Sequence, residues 1–170
     1  MGNKILSWVS AISIILCIIS VGYIIRINCW YYLPYKQYTG KIDFQIDYTR
    51  PIDISYEGIK EDIDLLFNKP SYTLNIEDID VSGRANLLTT TIVLDEGLSY
   101  ENYVFTLTHE LVHITYFTVN ERFSNFTAWK ILYESGNNYF KNVALAFARD
   151  DMYISEDYHF VAYVVDYLNA

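Results

Sequence analysis

Residues 108–117 read THELVHITYF, and this stretch is the main basis for predicting the fold and the function of the chain. His109 and His113 lie four residues apart, and Glu110 follows the first of them directly. The chain has three histidines in all, so two of them are in this stretch. In an α-helix, residues four apart lie on one face, and both imidazoles can therefore bind the same metal ion.

This spacing favours Zn²⁺. Zinc binds imidazole nitrogen at about 2.0–2.1 Å, and a catalytic zinc site uses three protein ligands and one water molecule. Glu110 lies one residue round the helix from His109, so its carboxylate is expected to approach that water rather than the metal. Because a metal ion lowers the pKa of such a water to about 7, Glu110 can act as its general base. The alternative is an ordinary amphipathic helix with two surface histidines.

The third ligand is predicted from NERFSN, residues 120–125, which begins seven residues after His113. Two helices joined by a short turn pack as antiparallel neighbours, so Glu121 is expected beside the last turn of the histidine helix. Asn125, one helical turn further on, is predicted to orient a ligand imidazole by a hydrogen bond. Glu121 could instead be a first-turn acidic residue that only stabilises the helix dipole.

THELVHI and NERFSN together resemble the gluzincin metallopeptidases, whose thermolysin-like members carry HExxH and then NExxSD on a following helix. The resemblance implies that His109 and His113 are the histidine ligands. It also implies that Glu110 is the general base and Glu121 the glutamate ligand. The expected fold is a small zincin-like α+β domain, and the expected activity is hydrolysis of peptide bonds with zinc as cofactor.

The second helix adds to this resemblance. Ser124 matches the motif serine, and Asn125 stands where the thermolysin-like motif has aspartate. The stretch ERFSNFTAWKIL, residues 121–132, is also similar to a helix of the phage-type ImmA/IrrE metallopeptidases. Its matching positions are Glu121, Asn125, Ala128 and Leu132. The resemblance covers residues 106–132, and the rest of the chain only by what the fold implies.

Other residues remain as alternatives for the site. The gap between His113 and Glu121 is shorter than in either group, which keeps Glu134 as an alternative ligand. His159 is either an ordinary helix residue or a group that contacts the metal or the oxyanion. Three tyrosines are candidate oxyanion donors: Tyr153, Tyr158 and Tyr163.

The flanking segments predict an α+β domain with about three strands. Residues 41–48, KIDFQIDY, alternate with period two, and the β-branched runs 72–76 and 87–94 are typical of strands. The last run, LLTTTIVL, is either a plain sheet strand or an edge strand that pairs with an extended peptide substrate. Helices are predicted over residues 54–68, 121–135, 138–148 and 156–168 in addition to the histidine helix.

An uncharged segment precedes this domain. Residues 5–25 contain no charge over 21 positions, long enough as a helix to cross the roughly 30 Å of bilayer hydrocarbon. Residues 1–26 are therefore predicted to be a single-pass membrane anchor, residues 27–40 a juxtamembrane connector and residues 41–170 the metallopeptidase domain. Basic residues flank the segment on both ends, so the positive-inside rule predicts no side for the domain.

The charge balance limits the partners. The chain carries 12 basic and 21 acidic side chains, a net charge of −9, whereas a nucleic-acid backbone requires clustered Lys and Arg. The predicted partners are thus a peptide or protein substrate and the membrane, and not nucleic acid. The sequence favours a membrane-anchored zinc metallopeptidase, and the alternative is a catalytically silent zincin-fold interaction module at the membrane. Glu110 favours the enzyme, because a purely structural metal site needs no base beside its ligands.

Overall fold

The computed structural model describes residues 12–23, 54–148 and 158–170. The chain divides into two compact units, Met1–Pro34 and Tyr35–Ala170. In the first unit, residues 12–23 are helical (α1). Among the described residues, no helix reaches the combination of length and apolarity that a membrane crossing requires. The predicted anchor extends past the described residues at both ends, so it stays a prediction.

The second unit contains three strands and five helices within its described residues. In chain order these are α2 (Tyr56–Leu66), β1 (Thr73–Glu77), β2 (Gly83–Asn86), β3 (Thr91–Asp95), α3 (Tyr100–Tyr116), α4 (Glu121–Glu134), α5 (Asn138–Ala148) and α6 (Tyr158–Leu168). This order confirms a mixed α+β class. The predicted connector, residues 27–40, and the predicted strand at residues 41–48 lie outside the described residues.

The three strands form one sheet in the order β1-β3-β2. β1 runs parallel to β3, with Leu74 opposite Ile92, and β2 runs antiparallel to β3, with Gly83 opposite Leu94. The strands predicted within residues 72–76 and 87–94 are confirmed as β1 and β3. The edge-strand interpretation of residues 87–94 is wrong, because β3 has a partner on each side. The edge beside α3 is instead formed by β2, a four-residue strand that the sequence did not predict.

The core lies between this sheet and the helices. Ile92 and Leu94, two residues apart on β3, are fully buried, as are Leu107 and Leu111 on α3. Side chains two apart on a strand point to one face, so this face of the sheet carries the apolar layer against the helices. Both β2 and β3 pack against α3. The histidine helix is therefore held by the sheet over much of its length.

Both ends of α3 are fixed by local interactions. Ser99 is the predicted N-cap, and its side chain accepts a hydrogen bond from the backbone N–H of Asn102. At the other end, Phe117 takes the left-handed conformation with φ 49°, where a bulky residue is uncommon. Residues 118–120 then connect α3 to α4, which begins at Glu121 and has Asn120 as its N-cap. This short turn brings α3 and α4 side by side, as predicted.

The helices α5 and α6 also pack against α4. Trp129 and Leu132 of α4 are fully buried, and α4 packs against both α5 and α6. Gly136 has φ 76° just beyond the C-cap of α4, which confirms it as the residue that ends this helix. Because α4 is enclosed by α3, α5 and α6, its first turn has a fixed position relative to the histidine helix.

Candidate metal centre

Three side chains from α3 and α4 bring their ligand atoms together. The Nε2 atoms of His109 and His113 are 2.8 Å apart. One carboxylate oxygen of Glu121 lies 3.0 Å from Nε2 of His109, and the other lies 3.5 Å from Nε2 of His113. All three ligand atoms fall within 4.8 Å of one another. This group, which we call the HHE cluster (His109, His113 and Glu121), could hold a metal ion.

The sequence of α3 explains why the two imidazoles are rigid. His109 and His113 lie on one face, one turn apart, while Leu107, Leu111 and Val112 are fully buried on the rest of the helix. The His113 side chain is only 8% exposed and that of His109 12% exposed. Both rings are therefore fixed by packing, and their Nε2 atoms point toward the start of α4.

The backbone after α3 determines the tautomer of His113. Nδ1 of His113 lies 2.7 Å from the carbonyl oxygen of Thr118, which can only accept a hydrogen bond. Nδ1 therefore carries the proton in the neutral ring, and Nε2 presents a lone pair. The Ser124 hydroxyl, on α4, lies 3.2 Å from the same Nδ1. Such partners fix the orientation of a metal-binding imidazole and make it more basic.

Glu121 enters from the first residue of α4 and is the most exposed member of the HHE cluster. Its side chain is 67% exposed. Where the Nε2 atoms carry protons, hydrogen bonds from His109 and His113 hold the pKa of Glu121 well below its usual range. Burial alone would lower the pKa of His113, but the hydrogen bonds to Glu121 and to the Thr118 carbonyl outweigh it and raise that pKa. The carboxylate is therefore ionised and oriented toward both rings.

Glu110 lies beside this cluster but is not one of its members. Its residue is 6% exposed, and burial raises the pKa of its carboxyl group despite the opposing influence of His109 and His113. One of its carboxylate oxygens, Oε1, faces the start of β2 at Gly83. A carboxylate whose pKa is raised toward neutrality suits a general base or acid better than a fully solvated one does.

The alternative ligands fall elsewhere or outside the described residues. Glu134 occupies the last position of α4, 13 residues or about 20 Å along the helix from Glu121, and accepts a hydrogen bond from Tyr167. The side chains of His159 and Tyr158, and all of Tyr153, lie outside the described residues. The ring of Tyr163 packs near that of Phe126, with 5.8 Å between their centroids.

Some parts of the site could not be predicted, and one prediction stays open. Asn125 is buried on α4, and its predicted role in orienting a ligand ring stays a prediction. Thr118 contributes through its backbone carbonyl, which no side-chain pattern reveals. Ser124 was matched only as a motif residue, and its contact with His113 was not predicted. Gly83 belongs to the strand that was not predicted.

The donor set fits zinc. Two ligands at about 2.0–2.1 Å from a tetrahedral ion are about 3.3 Å apart. In the HHE cluster the two Nε2 atoms are 2.8 Å apart, and each has a Glu121 oxygen within 3.5 Å, although not the same oxygen. Two imidazoles and one carboxylate also form a known catalytic zinc ligand set.

No family model, curated protein or solved structure matches this chain. Its function must therefore be inferred from the site itself.

Proposed function

We propose that this chain is a zinc-dependent peptidase in which Glu110 is the general base. One observation supports it above the others: the HHE cluster is assembled with the buried Glu110 carboxylate beside it. A structural zinc site is closed by four protein ligands. The described residues supply three to this cluster, which is the number that a catalytic zinc site uses beside a water molecule.

Each residue of the site has a definite role in this proposal. His109, His113 and Glu121 hold the ion, and the hydrogen bonds of His113 to Thr118 and Ser124 keep its ring in place. A bound zinc ion would acidify a water molecule and polarise the carbonyl group of a peptide bond. Glu110 takes the proton from the attacking water and passes it to the leaving amine.

The outer edge of β2 is the proposed binding surface for the substrate. In the antiparallel pair, Asp95 donates to the carbonyl of Ser82, so the bonded positions of β2 are Ser82, Arg84 and Asn86. The backbone N–H and C=O groups of Gly83 and Ala85 therefore point away from β3. Within the described residues no strand lies beyond this edge. An extended peptide can pair with such an edge through main-chain hydrogen bonds.

The proposal is tested by hydrolysis of a peptide library by the purified 170-residue chain in detergent. We expect cleavage that is lost with a chelator and restored by about one equivalent of Zn²⁺. Restoration by Mg²⁺ alone would contradict a zinc enzyme, because Mg²⁺ prefers oxygen ligands. If zinc binds with four protein ligands and no cleavage is seen, the chain is instead the catalytically silent interaction module.

We further propose that residues 1–26 anchor the peptidase domain in a membrane. The support is the 21-residue uncharged segment, of which residues 12–23 are helical. In cells that express the chain, alkaline carbonate should leave it in the membrane pellet, and N-terminal sequencing should find residues 1–26 still present. Release into the supernatant, or a mature chain that starts after residue 25, would contradict the anchor.

A further inference from the structure

Gly83 occupies the point at which the sheet comes closest to the general base. It is the first residue of β2, and the face on which a side chain would stand is directed at α3. A Cβ atom at this position would lie 2.6 Å from Cγ2 of Thr106, 2.9 Å from Cδ2 of Leu94 and 3.2 Å from Oε1 of Glu110. The strand and the helix therefore pack through the space that the missing side chain leaves.

The backbone conformation does not explain a glycine here. Among the described glycines only Gly136 has a positive φ, so another residue could adopt the conformation of Gly83. Glycine is also unfavourable within a strand, because it costs more conformational entropy and offers no side chain to pack. A glycine inside a strand often marks a close approach of another group. At position 83 the approaching groups include the catalytic carboxylate.

We propose that Gly83 is a positioning residue for Glu110: the absence of a side chain at 83 leaves space for the carboxylate beside the start of β2. This inference rests on the proposed function. The three atoms nearest to the missing Cβ belong to side chains with different roles. The methyl groups of Thr106 and Leu94 serve packing, whereas the Glu110 oxygen must be held in line with the attacking water.

An alanine at 83 would displace this oxygen. At 3.2 Å the contact is tighter than nearly all natural Cβ contacts, so Oε1 would have to retreat by a few tenths of an ångström. Glu110 is buried, which restricts the directions in which it can move. Because a misplacement of about 1 Å can cost roughly 10²-fold in rate, we expect a shift of a few tenths of an ångström to cost about three- to tenfold.

The test compares Gly83→Ala with wild type in zinc content, melting temperature, kcat and KM. We expect full zinc content, a kcat lower by about three- to tenfold, and a KM within about twofold. The zinc content should be unchanged because the three atoms nearest to a Cβ at position 83 belong to Thr106, Leu94 and Glu110, not to the HHE cluster. An unchanged kcat would overturn the proposal. Gly97→Ala is the matched control, since a Cβ at the exposed Gly97 meets only the side chain of Asp95.

A second variant separates positioning from packing. Thr106→Ser removes the methyl group that is 2.6 Å from the new Cβ, and the remaining contact under 3.0 Å is with Cδ2 of Leu94, the end of a flexible side chain. Gly83→Ala/Thr106→Ser should therefore fold even where Gly83→Ala does not. We expect this double variant to regain melting temperature but not kcat, relative to Thr106→Ser alone. Recovery of both together would show that position 83 acts only through packing, and would overturn the proposal.

The two proposals can fail separately. If the wild-type chain cleaves no peptide, the peptidase function fails, and crystal structures of zinc-loaded wild type and Gly83→Ala/Thr106→Ser then decide the role of Gly83. A displaced Glu110 carboxylate with the HHE cluster unmoved would support positioning. A carboxylate in the wild-type position would overturn it.

Discussion

Glu110→Gln is expected to reduce peptide hydrolysis by about 10²–10⁴-fold while the chain keeps its zinc. Glutamine has nearly the size of glutamate and retains hydrogen bonding, but its amide cannot accept the proton of the attacking water. The three members of the HHE cluster are unchanged, so metal content should stay at that of wild type. The melting temperature should change little, because the buried position receives a neutral side chain of similar shape.

The measurement is kcat on a cleaved library peptide beside zinc content from the same preparation. Glu101→Gln is the matched control: it makes the same chemical change on the same helix, nine residues before Glu110 and in its first turn. It should retain wild-type activity. Hydrolysis that survives Glu110→Gln would rule out Glu110 as the general base. Loss of zinc in this variant would show instead that Glu110 holds the metal.

Glu121→Ala is expected to abolish stable zinc binding. It removes one of the three proposed ligands and the only carboxylate in the HHE cluster, leaving two imidazoles. Loss of an outer hydrogen-bond partner typically lowers metal affinity by about 10–100-fold, so loss of a ligand should cost more. A ligand that binds only the folded state raises its stability, and the zinc-dependent rise in melting temperature should therefore disappear.

Glu134→Ala provides the comparison on the same helix. Glu134 is also an α4 glutamate, but it ends the helix and pairs with Tyr167 rather than with a histidine. It should bind zinc and gain melting temperature like wild type. Zinc affinity is read by competition with a chromophoric chelator, and stability by thermal unfolding with and without Zn²⁺. Full zinc retention in Glu121→Ala, with loss in Glu134→Ala, would reverse the assignment of the third ligand.

The helices and the members of the HHE cluster were predictable because their signals are local. Ser99, Asn120 and Gly136 mark helix ends through their own side chains or lack of one. His109 and His113 are related by the helical repeat alone. Glu121 followed from the short turn between two helices, which leaves little freedom in where the second helix begins.

The unpredicted parts depend on contacts that the sequence does not display. β2 has only four residues, begins with Gly83 and ends with Asn86, both of residue types that strands disfavour. It forms because β3 offers it a partner, which is a tertiary effect. The Thr118 carbonyl reaches His113 because Phe117 adopts a positive φ, and nothing in a phenylalanine signals that conformation.

The short turn between α3 and α4 also has a kinetic consequence. All three members of the HHE cluster fall between residues 109 and 121, so their contacts have very low sequence separation. Closing a loop of about ten residues takes roughly 10–100 ns, much faster than pairing distant strands. A zinc ion would therefore be able to bind to the hairpin of α3 and α4 early in folding. Glu110 meets Gly83 only when the sheet docks, so the chain would acquire its metal before it acquires its activity.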